Sequence, residues 1–299
     1  MKQWEDFWHQ TSMVSSFGLS GQQYGYPKAI EEFWCAKAAT YDDGDTLLDL
    51  ACGRGALALL LADNAQQSHK PLDIHATDAV AIDMTSVAAE YEAYKRITWN
   101  LGCDIANLAY AQGSFNRLVS QFGVEYATLN KPLLDSLIGL LAPAGSADFI
   151  IHSASSAISA DSIQGIKAIE RVFHSGIFLK VYQELTSSGA RQSLAEEVQN
   201  LFNNLAKDSL MKSWLDDICA SFLRIIDAPA ERTIVLLDRL ATNLEQTVTR
   251  LQQQLSVAHS VEKLEALLQP YSGVVEYTIE RVVVDGSEFG LHLHLGKKP

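Results

Sequence analysis

The sequence predicts an α/β protein with a mostly parallel sheet of seven strands, the last of them antiparallel. Three observations predict it. Short apolar runs alternate with stretches of helical length through the first half of the 299 residues. The first run ends in a glycine turn that opens a helix, and the chain finishes on two β-rich runs around Asp285-Gly286, a strong hairpin signal.

The elements follow in order. Residues 1–45 carry two aromatic clusters (Trp4, Phe7, Trp8, then Tyr24, Tyr26, Phe33, Trp34) separated by SSFGLSGQQYGYP, which predicts two short helices flanking a loop. TLLDLAC (46–52) is a strand, GRG the turn and ALALLLADNA a helix of strong helix formers. LDIHATD (72–78) predicts the second strand, AIDMTSVAAEYEAYK a helix, RITWN (96–100) the third strand and FNRLVSQF (115–122) the fourth. NKPLLDSLIGLLAPAG reads as a helix stopped by Pro-Ala-Gly, and ADFIIHSAS (147–155) as the fifth strand. Beyond Ser159 the pattern is helical, with Leu237, Leu240, Leu244, Val248, Leu251 and Leu255 spaced as one apolar seam that suits packing within the fold better than a dimerising zipper. The expected organisation is a helical lid over 1–45, a core over 46–159 and 259–299, and a helical insertion over 160–258 between the fifth and sixth strands, serving as substrate cap or dimer surface.

Composition excludes several function classes. The 23 Lys and Arg against 36 Asp and Glu give a formal charge of -13, a surface that repels a phosphate backbone, so no nucleic-acid partner is expected. Cys35, Cys52, Cys103 and Cys219 form no C-x-x-C pair, so neither a disulfide framework nor a metal site is expected, and a reducing cytoplasm fits. No apolar run approaches a membrane span, so no membrane partner is expected either.

The sharpest local signal is LLDLACGRGALA. Gly53 and Gly55 let a ligand approach the backbone more closely than a Cβ permits, with amides at the helix start facing it. The spacing Gly53-x-Gly55-x-x-Ala58 also fits a looser dinucleotide fingerprint, which keeps a nicotinamide-dependent oxidoreductase in view. Asp78 closes the second strand where a carboxylate accepts from ribose hydroxyls in either cofactor class. Asp49 precedes the glycines, where it serves a cationic ligand or fixes the loop.

With these residues in place, the chain resembles a class I S-adenosylmethionine-dependent methyltransferase of the small-molecule type, which is Rossmann-like. LLDLACGRG resembles that family's first motif, with Ala51 replacing its first glycine. TDAVAIDM resembles the second-strand motif, and GCDIANLAYAQGSFNRLVSQFGVEYA the segment from the third strand through the fourth. The terminal hairpin resembles the family's reversed last strand, and the resemblance covers about 40–158 and 260–299. It implies S-adenosyl-L-methionine as cofactor, with Asp49, Gly53 and Gly55 in the turn, Asp78 on the ribose, Asp104 on the adenine amino group and Ile105 against the ring. Ser120 and Gln121, ending the fourth strand, are expected at the cofactor's methionine end. Where many relatives have Phe-Asp the chain has Phe115-Asn116, a departure expected to affect local structure more than chemistry.

Methyl transfer from a sulfonium needs approach and alignment, and a base only where the acceptor carries a proton. His152, near the end of the fifth strand, and Glu125, after the fourth, are the candidate catalytic residues. Trp8, Tyr24, Tyr26 and Tyr126 are the candidate substrate contacts, the first three as part of an aromatic lid. The sequence lacks both an Asn/Asp-Pro-Pro-aromatic loop and a Pro-Cys pair, which with the negative charge favours a small or protein acceptor, and a small-molecule acceptor is the expectation taken forward. The leading expectation is a cytoplasmic methyltransferase, with a homodimer as the candidate assembly. The alternative is a non-catalytic S-adenosylmethionine-binding regulatory protein.

Overall fold

The computed structural model describes residues 2–16, 22–187, 191–207 and 209–299. The middle of the loop expected between the N-terminal helices, 17–21, lies outside the described residues. Contacts divide the chain into two units, 1–158 with 257–299, and 159–256.

The first unit is a seven-stranded sheet: β1 (Thr46–Leu50), β2 (Asp73–Asp78), β3 (Ile97–Leu101), β4 (Phe115–Gln121), β5 (Leu141–Ile151), β6 (Val275–Val284) and β7 (Ser287–Lys297). Its order is β3-β2-β1-β4-β5-β7-β6, with β1 to β5 parallel and β7 antiparallel to both its neighbours. The order reverses between β1 and β4, and ligands of such sheets bind at the carboxyl ends beside that point.

Helices α1 (Lys2–Gln10) and α2 (Lys28–Ala38) precede β1; α3 (Ala56–Gln67), α4 (Thr85–Glu90) and α5 (Lys131–Leu140) follow β1, β2 and β4, and α11 (Val261–Leu268) precedes β6. Side chains alternate across β1. Leu47 joins an apolar cluster with Trp34 of α2 and Leu61 of α3, whereas Leu48 and Leu50 join one with Leu134 of α5 and Leu264 of α11. Local chemistry sets the ends: Asn130 Oδ1 accepts from Leu133 N at 3.1 Å to cap α5, and Ser260 Oγ accepts from Lys263 N at 3.3 Å to cap α11. Asp285 and Gly286 both have positive φ, 49° and 78°, the two-residue turn that matches strand twist.

Three expectations need correction. The helix expected over 81–95 is limited to α4, because Asp83 Oδ1 accepts from Thr85 N at 2.9 Å in a local turn before it and Tyr91 is extended with its hydroxyl donating to Gln23 O at 2.6 Å; a 3-10 turn then covers Glu92–Arg96. Leu-Ala-Pro-Ala-Gly does not end a helix but begins β5. There the register shifts between Phe115 and Arg117, and exposed Pro143 needs no ladder N–H. The fifth strand therefore ends at Ile151, and His152 and Ser153 lie just past it. Asn116 sits at the amino ends of β1 and β4, where its Oδ1 accepts from Thr46 N and Thr46 Oγ1, both at 3.0 Å.

The second unit contains α6 (Ala157–His174), α7 (Ile177–Thr186), α8 (Arg191–Leu205), α9 (Lys212–Asp227) and α10 (Ala230–Val257). Leu237 and Leu244 of the seam are buried in a cluster with Leu215 and Phe222 of α9, and Leu240 and Val248 pack against it. No helix among the described residues is long and apolar enough to cross a membrane.

Candidate active site

A cavity of about 270 Å³ opens at the carboxyl ends of β1, β2 and β4 in the first unit. Three successive loops line one side of it: Ala51, Cys52 and Gly53 after β1, Asp78 and Ala79 after β2, and Asp104, Ile105 and Ala106 after β3. Gln121, Phe122, Gly123 and Tyr126 follow from β4, and Trp4, Trp8, Val14, Ser15 and Tyr26 come from the N-terminal segment.

Asp78 is the centre of this arrangement. Its Oδ2 accepts from Gly53 N and its Oδ1 from Val80 N, both at 2.8 Å, so one carboxylate ties the glycine turn to the loop after β2. Burial raises the Asp78 carboxyl and the two amide hydrogen bonds pull it back down, with a net rise. Asp104 is exposed, and its Oδ1 caps Ala106 N at 2.9 Å; Ile105 beside it is buried.

The glycines are pressed by tryptophans. At Gly53, φ is +55° and an added Cβ would stand 2.5 Å from Trp8 Cζ2; at Gly55, φ is +82° and the clash would be with Trp99 at 2.3 Å. Gly55 is thus away from the cavity, under Trp99 and at the start of α3. Ala51, in the place of the motif's first glycine, is held at φ 54°.

Five further expected site residues also stand outside the cavity lining. Asp49 is fully enclosed with Oδ2 accepting from Ala58 N at 3.2 Å, so it braces the turn from behind. Ser120 Oγ is consumed internally, donating to Leu50 O at 2.8 Å and accepting from Val124 N at 3.0 Å. Tyr24 donates to Asp63 Oδ2 at 2.6 Å. Glu125 and His152 are buried behind Tyr126: Glu125 Oε1 accepts from His152 N at 2.9 Å, and His152 Nε2 lies 3.4 Å from the Tyr126 hydroxyl. His152 also stacks on Phe122 at 4.3 Å. Burial lowers the imidazole to about 3, so it is neutral at physiological pH.

Gln121 does reach the cavity. Its Oε1 accepts from Trp34 Nε1, while its Nε2 is buried without a hydrogen-bond partner. Sequence reasoning missed Trp4, which lines the cavity edge-to-face with Tyr126 at 5.2 Å. The alternation of Trp4, Phe7 and Trp8 along one helical face was its signal.

Glu125 gives a pH prediction. Burial raises its carboxyl from 4.5 to about 7, so between those values the folded chain keeps a proton that the unfolded chain releases. The sign is therefore a loss of stability as pH rises from 4.5 to about 7. Glu125→Gln is expected to remove that loss, so that denaturant midpoints of variant and parent diverge in favour of the variant between pH 5 and pH 8.

Residues 26–177, just over half of the chain, match the model of the ubiE/COQ5 methyltransferase family. The chain belongs to that family, and so to the class I S-adenosylmethionine-dependent methyltransferases. No curated protein sequence matches it. Similar solved structures include a Methanococcus maripaludis protein described as an S-adenosyl-L-methionine-dependent methyltransferase, at 13% identity over 91% of this chain and 84% of that one, with TM-score 0.43. Another is phosphoethanolamine N-methyltransferase 2 of Haemonchus contortus in complex with S-adenosyl-L-methionine, at 13% identity over 99% and 60%, with TM-score 0.43. A Listeria monocytogenes protein described as an S-adenosylmethionine-dependent methyltransferase is similar at 18% identity over 44% of this chain, with TM-score 0.35, and the match spans 58% of its length.

Proposed function

We propose that the chain transfers a methyl group from S-adenosylmethionine to a small, apolar or aromatic acceptor held against the N-terminal aromatic residues. The observation that carries this reading is the charge of the cavity wall: among the described residues it contains the carboxylates Asp78 and Asp104 and no lysine, arginine or histidine. Such a wall stabilises a ligand bearing a sulfonium and an ammonium, and repels the pyrophosphate of a nicotinamide dinucleotide.

The residues present fit the cofactor. Each Asp78 oxygen accepts one amide and retains capacity for a ribose hydroxyl. Ile105 offers an apolar surface to the adenine with Asp104 next to it. The unpartnered Gln121 Nε2 is a donor awaiting an acceptor, which the methionine carboxylate supplies. When bound, the cofactor presents a methyl group on a positively charged sulfur that leaves as a neutral thioether. The chain's own part is alignment and exclusion of water: Trp4, Trp8, Phe122 and Tyr126 present ring faces and edges to the acceptor. Where the acceptor carries a proton, the Tyr126 hydroxyl is the group that meets it. His152 Nε2 lies 3.4 Å from that hydroxyl and orients it, and Glu125 Oε1 positions His152 by accepting from its backbone N–H.

A second reading, cofactor binding without turnover, is favoured by the burial of both His152 and Glu125 behind the cavity wall. Calorimetry with S-adenosylmethionine and with its demethylated product is expected to show saturable binding of each at one site. Absence of binding overturns the proposal. Binding without methyl transfer across a screen of apolar and aromatic acceptors selects the second reading.

A further inference from the structure

A separate cluster of donors sits on the α2 side of the sheet, on β5 and β7. His292 and His294 are two residues apart on β7 and so share a face; Asp148 lies directly opposite His294 on β5. His292 Nε2 is 2.8 Å, His294 Nδ1 2.9 Å and Lys37 Nζ 2.9 Å from the single oxygen Asp148 Oδ1. One carboxylate oxygen offers about two lone pairs, so three N–H donors overfill it. A cation held between the two imidazoles and the carboxylate uses both ring nitrogens and the oxygen and displaces the ammonium: each of Asp148, His292 and His294 presents a ligand atom, all within 4.8 Å of one another.

A second observation points the same way. The other ring nitrogen of His292, Nδ1, is buried without a hydrogen-bond partner, and Glu280 Oε2, across on β6, stands 3.9 Å from it. A metal-bound imidazole commonly gives its remaining N–H to a carboxylate, which fixes the ring and strengthens the ligand. Glu280 is in position for that role. Lys37, at the end of α2 with its side chain 27% exposed, has a flexible stem that lets its ammonium leave for solvent.

We propose that Asp148, His292 and His294 bind a divalent transition-metal ion, with Lys37 as the positive charge that occupies the site when no metal is bound. The donor set, two imidazoles and one carboxylate, suits zinc. The ion would tie β5 to β7 without taking part in the cavity's chemistry.

The test uses the full chain, freed of metal by a chelator and titrated with cobalt(II), whose visible absorption reports its ligands, and then with zinc in competition. One ion per chain is expected. His294→Ala, at a residue one-third exposed on its side chain, is expected to lose the cobalt band and at least about 100-fold in affinity, and Glu280→Gln about 10- to 100-fold. Lys37→Met, which removes the competing ammonium, is expected to tighten binding by about tenfold. Failure of the parent to bind, equal binding by His294→Ala, or weaker binding by Lys37→Met each overturns the proposal; in the last case Lys37 holds the site together rather than competing for it. Circular dichroism of each variant establishes that the comparison is between folded chains.

Discussion

Trp34→Ala is expected to lower folding stability by about 3 to 5 kcal/mol, measured as a shift in denaturant midpoint at unchanged slope. Trp34 is completely buried on α2, with its ring 5.2 Å from Phe33 in an edge-to-face contact and its indole N–H on Gln121 Oε1. Truncation leaves a void between α2 and the sheet that a close-packed interior fills poorly. It also strips the amide of Gln121 of its tether, so cofactor affinity is expected to fall together with stability. Trp34→Phe separates the two effects, because it keeps most of the ring volume and removes only the N–H.

Asp78→Ala is expected to weaken S-adenosylmethionine binding by about 1 to 3 kcal/mol in calorimetry of the folded variant. The loss has two sources. The proposed charge-assisted contact to the ribose goes, and the amides of Gly53 and Val80 lose the carboxylate that organises the turn. Asp78→Asn keeps one acceptor oxygen and is expected to fall between parent and alanine variant. An unchanged affinity in Asp78→Ala would assign Asp78 to loop bracing alone.

The fold was largely legible because its signals are local and periodic. Apolar runs of strand length, a glycine turn and an Asp-Gly hairpin each constrain a few neighbouring residues, and those constraints survive into the folded chain. Boundaries failed where tertiary contacts override them: Tyr91 is pulled out of its helix by a hydrogen bond to Gln23, and Pro143 is absorbed at a strand irregularity rather than stopping a helix. The site divides in the same way. Asp78, Gly53, Asp104, Ile105 and Gln121, together with Trp8, Tyr26 and Tyr126, line the cavity, since residues just past parallel strands must gather at one edge of the sheet. Asp49, Ser120, Glu125 and His152 have the residue types of a site and the right positions along their strands, but their side chains are spent on backbone groups or enclosed. For Glu125 and His152, which lie past their strands, strand position no longer reveals which way a side chain faces; Asp49 and Ser120 lie within β1 and β4, and there the neighbouring backbone takes up the side chain. The Asp148, His292 and His294 cluster is illegible in the sequence for a simpler reason: Asp148 lies 144 residues from His292 and 146 from His294, and the pairing of β5 with β7 brings them together.

The contact of Trp8 with Gly53 has one more consequence. The indole sits on the turn at the cavity, with Arg54 Nη2 holding its backbone carbonyl at 3.0 Å. An indole is also the brightest natural fluorophore of a protein, and its emission shifts with the polarity around the ring. Trp8 and Trp4 line the cavity, so ligand entry is expected to shift their share of the emission of the chain's five tryptophans without any attached dye.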